Sequence, residues 1–132
     1  MIEEYRFGHI IINGKSYTHD VEVRWLPEES PRTGLAEQTE VLKWWRKQSH
    51  VFDVEDVKRA VEQNPDTIVL GTGAYGGAKV TEAAQEFIKE KGIGLIIDKT
   101  EQAVKTFNII CEKSKEEEGR QEKVIGLFHL TC

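Results

Sequence analysis

Residues Thr67 to Asp98 constrain the fold more than any other stretch of the chain. Thr67 to Leu70 is a short apolar run rich in β-branched residues, the signature of a buried strand. Gly71 to Gly77 is a glycine turn. Val80, Ala83, Ala84, Phe87 and Ile88 then follow at helical spacing, and Gly92 stands where a helix C-terminal cap belongs. Gly94 to Asp98 reads as the next strand. Strand, helix, strand at this spacing is a βαβ unit, which implies a parallel pair joined by a right-handed crossover.

The flanking segments extend that unit. Tyr5, Phe7, His9 and Ile11 alternate with Arg6, Gly8, Ile10 and Ile12, and Asn13-Gly14 suits a two-residue type I′ turn. The return strand starts near Lys15 and carries Tyr17, His19, Val21 and Val23 on one face. This N-terminal β-hairpin either makes the sheet partly antiparallel or forms a layer of its own. Trp25 to Gln38, with Pro27, Pro31 and Gly34, reads as a long surface excursion, a recognition element or a flap. The segment TEVLKWWRK is expected to be extended. Asp53 is an N-cap candidate with Asp56 three residues on, and Val54, Val57, Ala60 and Val61 form one helical face that Asn64-Pro65-Asp66 ends. A third helix starts at Thr100 and buries Ala103, Val104, Phe107, Ile110 and Cys111, while its charged tail EKSKEEEGRQEK should be solvated. Val124 to Leu130 is a last strand. The expected class is α/β, or α+β with a mixed sheet, in a single domain over residues 1–132.

Charge and cysteine usage exclude several functions. The chain of 132 residues carries 18 Lys and Arg against 23 Asp and Glu, a net charge of -5. That balance argues against nucleic acid or an anionic membrane as partner, since either needs an electropositive face. Cys111 and Cys132 lie far apart and form neither a disulfide framework nor a zinc cluster. The start MIEEYRFGHIII has no basic region of the signal-peptide kind, so the expected location is cytoplasmic.

One motif invites chemistry. Gly71-x-Gly73-x-x-Gly76 follows a strand and is expected to open a helix, and Asp98 ends the next strand. Read as a dinucleotide fingerprint, it would bring a pyrophosphate to a helix N-terminus. The spacing to Asp98 is too long for that, Lys79 and Val80 stand where small residues are needed, and the second half of a dinucleotide crevice is missing. A bare anion site using the N–H groups of Gly76, Gly77 and Ala78, with Lys79 nearby, is the milder reading. The plainest is a tight turn that needs positive φ and close packing. His9, His19, His50 and His129 are scattered without ligand spacing, and Ser30 and Ser49 have no nucleophile-elbow setting.

Five stretches taken in order, FGHIIINGKSYTHDV, WWRKQSH, IVLGTGAYG, TEQAVKTFN and LFHLTC, resemble the Mth nine-three-eight-like domain family. Its relatives include an adipogenesis-associated protein and a mitochondrial complex I assembly factor. The resemblance implies a three-layer fold on a central mixed sheet, with no established enzymatic activity. Asn108 and the stretch His129 to Cys132 match it as well as the glycine loop does.

The expected function is therefore a non-enzymatic binding or assembly-type module, a monomer or homodimer with a protein partner. Trp25, Trp44 and Trp45 are the expected partner surface. No catalytic residue, metal or cofactor is assigned. The alternative is a small-molecule or anion site, possibly enzymatic, at the C-terminal end of strand Thr67 to Leu70. Gly73, Tyr75, Gly76, Gly77, Lys79 and His129 would form it.

Overall fold

The structure, a computed structural model, describes residues 1–27, 37–46, 50–116 and 122–132. Most of the excursion expected after Trp25 and part of the charged tail lie outside these residues. Among the described residues, ten strands and three helices follow in the order β1 (Ile2–Arg6), β2 (His9–Ile12), β3 (Lys15–Tyr17), β4 (Val21–Pro27), β5 (Glu37–Lys43), β6 (Val51–Phe52), α1 (Val54–Val61), β7 (Thr67–Thr72), β8 (Lys79–Val80), α2 (Glu82–Glu90), β9 (Gly94–Asp98), α3 (Thr100–Glu116) and β10 (Val124–His129).

The central sheet has the order β5-β4-β10-β7-β9. β9, β7 and β10 run parallel, and β4 and β5 add antiparallel strands on the far side. β10 lies in the middle and is buried along its whole length. Its alternation builds both cores. Val124 and Phe128 face α3 together with Val69 of β7 and Val21, Val23 and Trp25 of β4. Ile125 and Leu127 face α1 and α2 with Ile68 and Leu70. Gly126 lies under the Phe128 ring, which packs edge-on against Phe107 with centroids 5.7 Å apart. A side chain there would strike that ring.

The N-terminal segment forms a separate three-stranded sheet, β1-β2-β3, that shares the α3 face with the helix. Asn13 and Gly14 both have positive φ, as a type I′ turn requires. A second turn at Phe7-Gly8 splits the first expected strand into two, so Ile10 and Ile12 point inward and Phe7 outward. The expected return strand also divides. It breaks at His19-Asp20, and its second half joins the central sheet as β4. The result is three layers: the small sheet with α3, the central sheet, and α1 with α2.

Helix starts follow local chemistry. Asp53 caps α1 in a capping box with Asp56, and its carboxylate also accepts from the Thr81 hydroxyl at 2.8 Å. Thr81 in turn caps α2 by accepting from the Ala84 amide at 3.0 Å. The two caps are thus tied to each other, which fixes α1 beside α2. Gly92 takes positive φ after α2, as its sequence position implied.

Candidate functional site

The glycine turn corrects the expectation that it opens a helix. Gly71 lies within β7, and after Ala78 the chain forms β8, which pairs with β6 before Thr81 starts α2. The helix start that meets the loop is that of α3, where Thr100 bonds Gly73. Two of the three amides considered for an anion are engaged inside the chain: Gly76 donates to Gly73 O at 3.2 Å and Ala78 to Thr72 O at 3.1 Å.

The glycines serve close approach. A Cβ on Gly71 would stand 2.7 Å from the Thr100 hydroxyl oxygen. Gly73 has φ +104°, and a Cβ there would lie 2.6 Å from Thr131 O; one on Gly77 would collide with the Cys132 carbonyl. Ala74 N donates to Thr131 O at 2.7 Å. Residues 131–132 thus lie against Gly73, Ala74 and Gly77. Thr100, fully buried, stitches the junction. Its hydroxyl accepts from Gly73 N at 2.8 Å and donates to His129 O at 2.6 Å, while its amide donates to Gly73 O.

The loop displays Tyr75, which is 73% exposed. Its ring lies 6.1 Å from that of Phe7, 56% exposed on the β1–β2 turn. Behind them Tyr5 donates to Leu130 O at 2.8 Å, and Gly8 N donates to the same carbonyl. Burial, with smaller contributions from Asp20, Glu101 and Tyr75, pushes the Tyr5 phenol up to about 12.

Of the expected site residues, Gly73, Tyr75, Gly76 and Gly77 share this loop, and Lys79 sits in β8 with an exposed side chain. The main chain of His129 also reaches the loop through Thr100. Its ring goes elsewhere, packing edge-on to Phe52 at 5.8 Å and to His50 at 6.1 Å.

There it meets residues that the sequence did not single out. His129 Nδ1 bonds Asp20 Oδ2 at 2.8 Å, Arg46 pairs with the same carboxylate, and Leu130 N donates to Asp20 Oδ1 at 2.8 Å. The Arg46 guanidinium lies over the rings of Trp44 and Phe52, 5.6 and 5.2 Å from their centroids. Burial opposes ionisation of Asp20, but the His129 and Leu130 hydrogen bonds and the Arg46 charge outweigh it. The carboxyl is held below its ordinary range. With Nδ1 directed at the carboxylate, Nε2 is buried and has no hydrogen-bond partner among the described residues. In sequence Asp20 reads only as a residue of the return strand, on the face opposite Tyr17, His19, Val21 and Val23.

The tryptophans also require correction. Trp25 and Trp44 are not surface anchors. Trp25 is 1% exposed, packed between β4 and α3, and Trp44 is buried with its indole N–H donating to Asp56 O at 2.8 Å. Each finds an apolar wall and Trp44 a carbonyl as well, which is the usual state of a buried indole. Trp45 is 70% exposed, with Lys43 Nζ 4.2 Å from the ring centroid.

Among the described residues no group of three or more His, Cys, Asp and Glu side chains is placed to hold a metal ion. No described helix is long and apolar enough to cross a membrane, which says nothing of a β-barrel. Cys111 is a buried free thiol and Cys132 an exposed one.

A family model described as a protein of unknown function (DUF498/DUF598) matches residues 2–124. The chain belongs to this family. Among solved structures it is similar to the conserved hypothetical protein PH1505 from Pyrococcus horikoshii OT3, at 22% identity and TM-score 0.73. The match covers 100% of this chain and 99% of that one. A structure described as MT938 matches at 20% identity and TM-score 0.71, covering 100% and 98%. This agrees with the resemblance read from the sequence motifs. A third, described as an outer membrane protein from Bartonella henselae, matches at 19% identity and TM-score 0.68, covering 99% and 94%. At these identities the likeness establishes a shared fold.

Proposed function

We propose that this protein is a non-enzymatic binding module that engages another protein through the exposed aromatic pair Phe7 and Tyr75. One observation carries the reading: the glycine loop is packed against residues 131–132 and turns Tyr75 outward beside Phe7. The loop acts as a mount for an aromatic ring. Aromatic residues are favoured anchors at protein interfaces, and the net charge of -5 disfavours nucleic acid as the partner. A cytoplasmic setting is part of the proposal and is supported by two free thiols. The test compares co-purified proteins from wild type and from Phe7→Ser/Tyr75→Ser. A partner held by wild type and lost by a double variant of unchanged melting temperature supports the module. A partner set that is identical for both removes this surface from consideration.

A second reading has its own observation. The buried Nε2 of His129, on the far side of the ring from the Nδ1 that bonds Asp20, suits a small molecule bearing a hydrogen-bonding group. His50, exposed beside it, marks the approach. Chemical-shift mapping of the His129 ring against a library of small alcohols and amides tests this. Shifts confined to surface residues would dismiss it.

A further inference from the structure

We propose that His50 and His129 form a binding site for a divalent transition-metal ion, with Asp20 fixing the His129 ring from the opposite side. The site is independent of the Phe7 and Tyr75 surface. It goes beyond the small-molecule reading above, with which it shares the Nε2 of His129.

His129 has the arrangement that metal-ligating histidines almost always show, one ring nitrogen held by a carboxylate and the other open. Its side chain is buried, and its Nδ1 lies 2.8 Å from Asp20 Oδ2. Asp20 is itself held in place, accepting from Leu130 N at 2.8 Å and pairing with Arg46. Its carboxyl, kept below the ordinary range, is an ionised acceptor near neutrality, so the proton of its bond to His129 sits on Nδ1. Nε2 is then the nitrogen a metal can take, displacing any proton it carries. That atom is buried and has no hydrogen-bond partner among the described residues.

His50 supplies the second nitrogen. His50 and Phe52 stand two positions apart, and both rings meet that of His129, with centroids 6.1 and 5.8 Å away. Of these two rings only His50 can ligate. Its main chain is fixed, since Lys79 N donates to His50 O at 2.9 Å, while its side chain is exposed and its ring can turn. Two imidazoles that share a metal about 2.0–2.1 Å from each nitrogen have centroids roughly 5–6 Å apart, according to the angle at the metal. The observed 6.1 Å stands at the wide end of that span, and planes 83° apart keep the rings from stacking. Imidazole suits zinc, copper and nickel. Among the described residues no third His, Cys, Asp or Glu joins the pair, so water completes the shell and the ion is held exchangeably.

Calorimetric titration of the full chain with Zn2+ tests this, with the imidazole nitrogens followed by NMR. One equivalent should bind, and Nε2 of His129 should shift together with a ring nitrogen of His50. His50→Ala, made on an exposed side chain, should keep the melting temperature and weaken binding by roughly tenfold or more. His129→Gln should weaken it likewise. Asp20→Asn should weaken it by roughly 10–100-fold, the usual cost of losing the group behind a ligand. His9→Ala and His19→Ala should leave it unchanged. A chain that binds no Zn2+, or binds it equally well as His50→Ala, overturns the proposal. So does binding that shifts only His9 or His19. A His129 ring that responds to small alcohols or amides but not to Zn2+ would overturn the metal site and leave the small-molecule reading standing.

Discussion

The glycine loop and the Asp20 junction both close on residues 129–132, and they do so by opposite means. At the loop, the chain comes close because side chains are absent from Gly73 and Gly77, and the contacts to residues 131–132 are main chain to main chain. At the junction, the Asp20 carboxylate gathers Arg46 from one distant segment and the His129 ring and Leu130 amide from another. The first contact depends on space and the second on charge. Stability in the two regions should therefore respond to different substitutions and different conditions.

The junction should give the largest effect. Asp20→Ala leaves Arg46 and His129 without their shared carboxylate and the Leu130 amide without its acceptor. Removing one partner of a buried charged pair costs about 3–5 kcal/mol, to be read as a lower denaturation midpoint in urea. Acid should reproduce part of this loss. A carboxyl whose folded pKa is lowered contributes stability above its unfolded value of roughly 3.9, and that contribution fades as pH falls through the folded value. Asp20→Asn should therefore flatten the acid limb of the stability profile. An unchanged limb would show that other carboxylates govern acid unfolding.

Gly73→Val comes next. It forces a β-branched residue to φ +104° and against Thr131 O, at a cost of roughly 1–3 kcal/mol. The acid limb should keep its shape, because no charge is touched. A Gly73→Val protein with altered acid sensitivity would break the separation between the two regions.

Tyr5→Phe removes one hydrogen bond to Leu130 O and should cost about 1 kcal/mol near neutrality. It also sharpens the contrast at the alkaline end. The folded phenol ionises near 12, while the unfolded one ionises near 10. Wild type should thus lose stability as pH rises from about 10 to about 12, since the unfolded chain gives up that proton first. Tyr5→Phe should lack this component in alkaline denaturation scans.

Tyr75→Phe should be the smallest change, within about 0.5 kcal/mol, because the residue stands mostly in solvent. Calorimetry checks it. A markedly lower melting temperature would place the hydroxyl among the structural donors of the loop and remove the argument that Tyr75 is there for display.

Much of the architecture was legible in the chain because it rests on local chemistry. Asn13-Gly14 demanded its turn, Asp53 its capping box and Gly92 its left-handed cap, each within a few residues. The apolar runs at Thr67 to Leu70, Gly94 to Asp98 and Val124 to Leu130 specified the parallel strands. The family likeness rested on the same stretches. The candidate site was legible only in outline: Gly73 to Gly77 stood out, yet their use did not.

What local sequence determined, then, was the three helices, the parallel strands, the Asn13-Gly14 turn and the need for positive φ at Gly73. Tertiary structure decided what those elements meet. Trp25 and Trp45 are equally aromatic in sequence, but only the first lies where the sheet and α3 close over it. Asp20 is one polar residue of an expected strand until β10 brings His129 alongside, 109 positions away. The glycine motif is a tight turn in sequence, and only the fold brings residues 131–132 against it. Backbone preference is set by each residue and its neighbours. Burial, charge pairing and the contents of a loop are set by segments distant in sequence, which only the packed fold brings into contact.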